Sequence, residues 1–579
     1  MTDAPSLGFA LPPGLILMLA GVAVLALPRP ARWLPILAGP LLALAYVLFL
    51  QDEAAFLCAA EGTGCAARVT LDWLGFTLAP VQVDATATVF GLVFALMALA
   101  GGIFAEPSDR PEELAAAYVY AGAALSAVYA GDLITLFVFW EVMAIFSTAV
   151  IWMGGPDARA AGLRYAVVHF LGGVFLMAGI AGTAAAGGSI AVADLGGAGG
   201  LLAWLVLISL LMNAGGWPFN AWLADSYPRA SVAGTVFLSA FTTKTAIYAL
   251  IRLFPGEPWL LWIGLATILY GVIYALLASE IRRLVCYALV AQSGFMLVAV
   301  GIGTPLALAG ATGHAAVCIL YSALLFMATG AVVARTDRAE MSELGGLAGA
   351  MPRTAAAALL GGFAMAAMPG TAAYVSKSLI SSAAGYEALF WTWLGLTIGS
   401  VGVMLAVGLK LPWGVFFGPE RGIRAQDPGP ARQAAMGLLA TLILGIAVAW
   451  DAFYAILPGT ADYSPYKAEA MLFQLELLAF AVPAFFLARS LLPKHPGATL
   501  DTDWLWRGGG AAILDRLERL VMRLYGRAAE VSLASVGRFL EKIYRNMGPD
   551  GTFARTRPSS VMALWMTGLL CALLIFNLF

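Results

Sequence analysis

The chain has 579 residues, of which 61% are hydrophobic and 11% charged, and its formal net charge is −2. Soluble domains carry roughly 45–50% apolar and about 25% charged residues, so a water-soluble globular enzyme is excluded. The near-neutral charge offers no basic face for nucleic acid, and the five cysteines form neither a zinc-type pairing nor a dense disulfide framework.

A membrane-crossing helix needs about 20 mostly apolar residues. Runs of that kind recur from Leu15 to Phe579. They predict an all-α polytopic membrane protein of about 16 transmembrane helices, near 12–27, 33–50, 78–105, 113–131, 133–153, 163–186, 201–222, 232–254, 259–278, 285–303, 306–334, 355–384, 389–411, 434–450, 469–491 and 559–579. Strands of a membrane barrel would alternate apolar and polar residues, and these runs do not. Pro12 and Pro13 open the first run with no basic region before them, which argues against a cleaved signal peptide.

Lys and Arg gather in alternate connections, among them Arg29, Arg110, Arg159, Arg229, Arg282, Arg335 and Arg432. The positive-inside rule places those connections in the cytoplasm and both termini outside. The loop 51–73 then faces outward with Cys58 and Cys65, which are either a small disulfide or two free thiols. Residues 493–558 are polar, but Ile513, Leu514, Leu517, Leu520, Val521 and Leu524 recur at helical spacing between Arg516, Arg519, Arg523 and Arg527. A second stretch sets Val536, Phe539, Leu540 and Ile543 against Arg538, Lys542 and Arg545. This pattern predicts an amphipathic helix along the cytoplasmic surface, either a lateral brace for a partner or a passive interfacial helix.

Ionisable groups at membrane depth are costly, and each is therefore a functional candidate. Glu141 sits in LFVFWEVMAIF, Lys244 in FLSAFTTKTAIYAL and Lys377 in MPGTAAYVSKSLI. His169 and His314 sit in RYAVVHFLGG and TGHAAVCILY. Two runs look interrupted, LLMNAGGWPFNAW at Gly215, Gly216 and Pro218, and AAMPGTAAYVSK at Pro369 and Gly370. Broken helices at matching places in two halves are the mark of inverted-repeat transporters with a site near the midplane. A buried Lys readily releases its proton, and His sits between acid and base near neutrality, so a Lys–His–Lys row joined by water can pass protons. There is no haem ligand pair, iron–sulfur cysteine run, dinucleotide fingerprint or phosphate loop, and no cofactor or metal is expected.

WPFNAWLADSYPRAS followed by VFLSAFTTKTAIYALIRLFPG resembles the proton-conducting membrane subunits of Mrp-type multisubunit cation/proton antiporters, relatives of the antiporter-like subunits of respiratory complex I. FVFWE, EIRRLVCYALVAQSGFM and VSKSLI fit in order and spacing over about residues 75–490, and the C-terminal part with TLDTDWLWR resembles the D-type antiporter subunits of proteobacteria. The resemblance implies a three-helix region over 1–112, two inverted five-helix repeats over 113–254 and 259–411, further spans over 434–491, the cytoplasmic segment 493–558 and a terminal span over 559–579. It implies homologous antiporter-like subunits and small membrane subunits as partners, with Na or K and protons as cargo. It assigns Glu141, Lys244, His314 and Lys377 to the proton pathway.

Three positions depart from the family pattern. Asn213 stands where the lysine of the first broken helix is expected, Cys318 where a second histidine is, and Ser322 where a lysine is. Asn213 can hydrogen-bond Glu141 but cannot carry charge. With Thr243, His169 and Asp225 these residues form a secondary set that orders water or lines an entrance. Two further readings stay open, a proton channel driving an attached redox or carbon-dioxide-hydrating module, and a non-conducting scaffold.

Overall fold

Prolines and short polar side chains set the helix starts. Pro111, Pro305, Pro352 and Pro430 each occupy a first turn, where their missing N–H is not needed. Asp84, Asp132, Ser231 and Thr304 accept from the backbone N–H three residues on, satisfying donors the helix leaves free. Gly215 and Gly303 end helices at φ 68° and 73°, a left-handed geometry that other residues resist.

The computed structural model describes residues 7–8, 10–59, 65–107, 110–196, 199–459, 463–489, scattered positions between 512 and 545, and 559–576. They fall into a large unit within residues 1–502 and a small one within 503–579. The large unit begins with α1 (Gly14–Ala26), α2 (Trp33–Cys58), a β-hairpin of β1 (Ala67–Trp73) and β2 (Phe76–Val83), and α3 (Ala85–Ala105). Next come α4 (Pro111–Ala127), α5 (Leu133–Trp152), α6 (Ala158–Ala185), α7 (Leu201–Ala214), α8 (Ala221–Ser226), α9 (Val232–Leu238) and α10 (Thr242–Leu253). A second series runs through α11 (Trp259–Leu277), α12 (Ile281–Ile302), α13 (Pro305–Thr336), α14 (Pro352–Met365), α15 (Ala372–Tyr386) and α16 (Phe390–Val403). The unit closes with α17 (Pro430–Val448), α18 (Trp450–Ala455) and α19 (Ala468–Ala488). In the small unit α20 covers Ser559–Phe576.

Among the described residues 11 helices are long and apolar enough to cross a membrane, and Gly14–Ala26, Leu201–Ala214 and Val561–Leu574 are shorter apolar helices. An all-α polytopic membrane fold is therefore present, with one departure. The third apolar run, expected as helix from residue 78, begins as strand. β1 and β2 pair antiparallel from Trp73↔Phe76 to Ala67↔Val83, turning through Leu74 and Gly75, both at positive φ. The hairpin is fixed to the bundle where Asp132 Oδ2 accepts from Ala79 N at 2.8 Å and Gln82 N donates to Tyr129 O at 2.7 Å. An apolar run of this length carries no periodicity that separates strand from helix.

Both expected interruptions are real. The chain leaves helix between α7 and α8, and again between α14 and α15. Two more lie beyond those expected. Ser239–Phe241 separates α9 from α10, and α16 passes into wide π turns over Met404–Lys410 and Trp413–Phe417. Glycines bring α11 and α12 into backbone contact. A Cβ on Gly264 would meet Val298 N at 2.7 Å, and one on Gly271 would meet Tyr287 O at 2.7 Å.

Cys58 and Cys65 are disulfide-bonded, which settles the two readings of that loop. Of the amphipathic stretch, positions including Ile513, Arg516, Arg519, Leu520 and Arg523 are helical and exposed. Leu514, Leu517, Val521, Leu524, Arg527, Val536, Phe539, Leu540 and Ile543 lie outside the described residues.

Candidate functional site

Each interruption exposes carbonyl groups that a continuous helix would use internally, and the buried lysines settle on them. Lys244, fully buried, folds back toward the start of α10, as long helical side chains do, and its Nζ donates to Ser239 O at 3.0 Å. Lys377 on α15 repeats the device, donating from Nζ to Met365 O, the last residue of α14, at 3.0 Å. The Phe295 ring covers its other side, 3.9 Å from Nζ to centroid, an attraction that strengthens away from water. A cation at a helix C-terminus also meets the negative end of the macrodipole.

Between the lysines runs α13, buried over most of its 32 residues. It presents His314, Cys318, Tyr321 and Ser322 to the interior, all within about two turns. The His314 ring reaches Ser376 Oγ at 2.9 Å through Nδ1 and Gln292 Oε1 at 3.1 Å through Nε2. An amide oxygen only accepts, so this pairing places a proton on Nε2, while the Ser376 hydroxyl also donates to Ala373 O at 3.2 Å. Tyr321 OH donates to Gln292 Oε1 at 3.2 Å and lies 3.3 Å from His314 Nε2. The Cys318 thiol lies close enough to Lys244 and Tyr321 to interact with both electrostatically, and its Sγ is 3.6 Å from Ser322 Oγ. The sequence of groups is Lys244, Cys318, Tyr321, His314 and Ser376, with Ser376 adjoining Lys377. Every member can accept a proton, donate one or do both.

Around this row several buried polar atoms have no protein hydrogen-bond partner, including Gln292 Nε2, Thr243 Oγ1, Ser293 Oγ and Thr312 Oγ1. Buried polar groups of this kind are ordinarily satisfied by water. Charge moved along the row stays within reach of both lysines, because a low-dielectric interior screens weakly.

The remaining sequence candidates fall elsewhere. Glu141 on α5 is half-buried, its Oε1 has no protein partner, and its carboxylate rests over Gly173 of α6. Asn213 approaches the adjacent Gly172 and donates from Nδ2 to Ser209 O at 3.1 Å. The hydrogen bond that Asn213 can make to Glu141 is not among the bonds formed. His169 is buried between Tyr165, with ring centroids 3.9 Å apart, and Trp222, at 4.5 Å. Asp225 pairs with Arg164 through two contacts of 2.6 and 2.9 Å, tying α8 to α6.

Sequence reasoning misses Gln292 and Lys410 as site residues. Gln292 lies inside the EIRRLVCYALVAQSGFM motif but is uncharged, and nothing in its spacing shows that it joins His314 to Tyr321. Lys410 falls at the edge of an apolar run, where lysine ordinarily reaches the interface. It is instead buried, donating to Leu276 O and Ala278 O at 2.6 and 2.7 Å. Among the described residues no group of three or more His, Cys, Asp or Glu side chains is placed to hold a metal ion.

Residues 130–405 match the family described as NADH:quinone oxidoreductase/Mrp antiporter, TM. The chain is 32% identical over 314 residues to an uncharacterized protein of Mycobacterium tuberculosis, an alignment covering 49% of this chain and 49% of that one. It thus spans about half the length of that relative. It is 26% identical over 404 residues to the D-type Na(+)/H(+) antiporter subunit of Bacillus subtilis, covering 64% of this chain and 81% of the relative. It superimposes on a chain of the membrane-bound sulfane sulfur reductase (MBS), an archaeal respiratory membrane complex, with a TM-score of 0.71 and 21% identity. That alignment covers 97% of this chain and 99% of the other, a likeness of fold.

Proposed function

With its segment 130–405 matched, the chain belongs to the NADH:quinone oxidoreductase/Mrp antiporter membrane family, and from that premise we propose that it is a proton-translocating subunit of a multisubunit monovalent cation/proton antiporter. The observation that carries this reading is the buried row of Lys244, Cys318, Tyr321, His314 and Ser376 beside Lys377, hydrogen-bonded from Tyr321 through His314 to Ser376 and in electrostatic reach of one another at Cys318. Protons enter the row at one lysine, pass through thiol, hydroxyl and imidazole with intervening water, and leave at the other. The likeness to the Na(+)/H(+) antiporter subunit of Bacillus subtilis supports Na or K as the coupled ion. The chain acts as a transporter subunit rather than an enzyme.

The finer architecture belongs to the same proposal. About 16 spans hold two inverted repeats over 113–254 and 259–411. The matching placement of Lys244 and Lys377, each on a carbonyl at a helix interruption, supports that pairing. The Arg-rich connections face the cytoplasm of a bacterial cell and both termini face outward. Homologous antiporter-like subunits and small membrane subunits adjoin the chain, and one of them supplies Glu141 with the positive charge that Asn213 does not. The amphipathic segment within 493–558 lies along the cytoplasmic surface as a brace.

A second reading keeps the pathway and changes what it drives. The near-complete alignment with a chain of a respiratory membrane complex supports coupling to an attached redox module. The test is proton and Na flux in vesicles holding the intact assembly, comparing wild type with Lys244→Ala and Lys377→Ala. Loss of both fluxes supports the antiporter. Loss of proton flux alone supports the enzyme-coupled channel. Unchanged fluxes leave a scaffold and overturn the proposal.

A further inference from the structure

A charged recess opens at the start of α2 and the end of α3, outside the lysine row. Arg29, Pro30, Trp33, Glu106 and Pro107 line it, and its volume is about 390 Å³. Small-ligand sites span about 300–1,000 Å³. Arg29 belongs to the connection between α1 and α2, Trp33 opens α2, and Glu106 and Pro107 follow α3.

The recess carries one charge of each sign, and each is held in place. Arg29 donates from Nε to Pro107 O at 3.0 Å, which fixes its guanidinium at the wall. Glu106 closes α3 at φ 57° and ψ 166°, a backbone region almost confined to glycine. Strain of this kind, kept where glycine would relieve it, marks a side chain that is used. Glu106 Oε2 lies 4.0 Å from Arg432 Nε on α17, too far for a hydrogen bond. The carboxylate is therefore open to a donor with N–H bonds to give.

The position selects the kind of ligand. Helices α2 and α3 are both long and apolar enough to cross a membrane, so their shared end lies at headgroup level. Trp33 is half-buried there, as interfacial tryptophans are. From Trp33 onward Leu34, Leu37 and Leu41 of α2 are exposed, and their spacing places them on one stripe. An apolar stripe that leaves a charged recess and runs into the bilayer matches a lipid, with a polar head and apolar chains.

The geometry points to this recess as a binding site for a phospholipid with an ethanolamine headgroup. Its phosphate meets the Arg29 guanidinium, its ammonium meets Glu106, and its chains follow Leu34, Leu37 and Leu41. A guanidinium has five N–H donors, so a phosphate contact leaves the Pro107 bond intact. An ammonium brings three N–H donors to the carboxylate. A choline headgroup brings none, and a glycerol headgroup sets its negative phosphate near Glu106 with no ammonium between them. Glu106 Oε1 also lies 3.5 Å from the Cβ position of Gly429, just ahead of α17, so the bound headgroup joins the α1–α2 connection to α3 beside the start of α17. The site rests on the membrane-spanning fold and on no step of the proposed proton pathway, so flux measurements and lipid measurements decide the two separately.

The test is native mass spectrometry of the intact assembly, stripped of lipid in detergent and returned to dioleoyl phosphatidylethanolamine, phosphatidylcholine or phosphatidylglycerol. Wild type should hold one ethanolamine lipid about 10-fold more tightly than Glu106→Gln does, the size of one charged hydrogen bond. Glu106→Gln should also lose the preference for ethanolamine over glycerol, whereas Arg29→Gln should weaken both lipids. Glu106→Gly relieves the backbone, so without lipid it should melt no lower than wild type, yet it should lose the same preference; it covers the case in which Glu106→Gln fails to assemble. If assembled Glu106→Gln and Glu106→Gly keep the wild-type preference, or Arg29→Gln holds lipid as wild type does, the site is refuted. If glycerophosphoethanolamine, the headgroup without chains, displaces the lipid at equal concentration, the recess takes a soluble zwitterion and the lipid assignment is overturned.

Discussion

Tyr321→Phe removes one oxygen from the centre of the row. Tyr321 OH bonds Gln292 Oε1 at 3.2 Å, contacts His314 Nε2 at 3.3 Å and interacts with Cys318. At about 0.5–1.5 kcal/mol for each net hydrogen bond, losing the first two costs about 1–3 kcal/mol. The His314–Gln292 bond at 3.1 Å survives and holds the imidazole, and the ring keeps its packing, so the variant should assemble. Its transport effect is larger, because no other described side chain joins Cys318 to His314. A positioned proton-transfer group contributes about 10²–10⁴-fold, and the expected proton flux in vesicles is about 100-fold below wild type at equal assembly. Assembled Tyr321→Phe with wild-type flux would refute the reasoning, since protons would then pass without this link.

Gly264→Val should lower the thermal midpoint of the detergent-purified protein by the equivalent of about 1–3 kcal/mol, because its side chain meets the α12 backbone at Val298 N; an unchanged midpoint would show that the two helices separate freely. Cys58 and Cys65 should resist a membrane-impermeant maleimide added outside cells until reductant is added, because they are paired; labelling without reductant would contradict the pairing. Glu280, ahead of α12, has its carboxyl raised above the usual range by burial, against the pull of Arg282 and Arg229. A raised folded value means that the native state binds this proton more tightly than the unfolded chain does. The favourable contribution is therefore present at low pH and lost as pH rises through the folded value. Glu280→Gln should then stabilise the protein at neutral pH, with the gain fading on acidification, as read by thermal denaturation at several pH values; a gain that grows on acidification would contradict the sign.

Long apolar runs, the two Pro/Gly interruptions and the mid-run charges Lys244 and Lys377 are legible in sequence, because burial of charge and loss of helix regularity each leave a local signal. The second strand of the hairpin is not, since the mostly apolar run Phe76–Val83 reads equally as the start of a helix, although Arg68–Trp73 alternates polar and apolar residues as a strand does. The break at Ser239–Phe241 is not, since no Pro or Gly marks it. Cys318 stands in sequence as a departure from a family pattern, yet the fold makes it the group between Lys244 and Tyr321. Asn213 and Glu141 look like partners in sequence, and the glycine pair Gly172–Gly173 instead receives each separately. An uncharged member such as Gln292 carries no signal until tertiary structure joins it to the row.

Cys318 is where the two halves of the row meet, and comparing Cys318→Ala with Cys318→Ser in vesicles holding the intact assembly tests that joint most directly. Serine keeps a proton-bearing side chain beside Lys244 and Tyr321 and should conduct; alanine should assemble and lose proton flux. Equal wild-type flux in both would mean that the two lysines do not share one route.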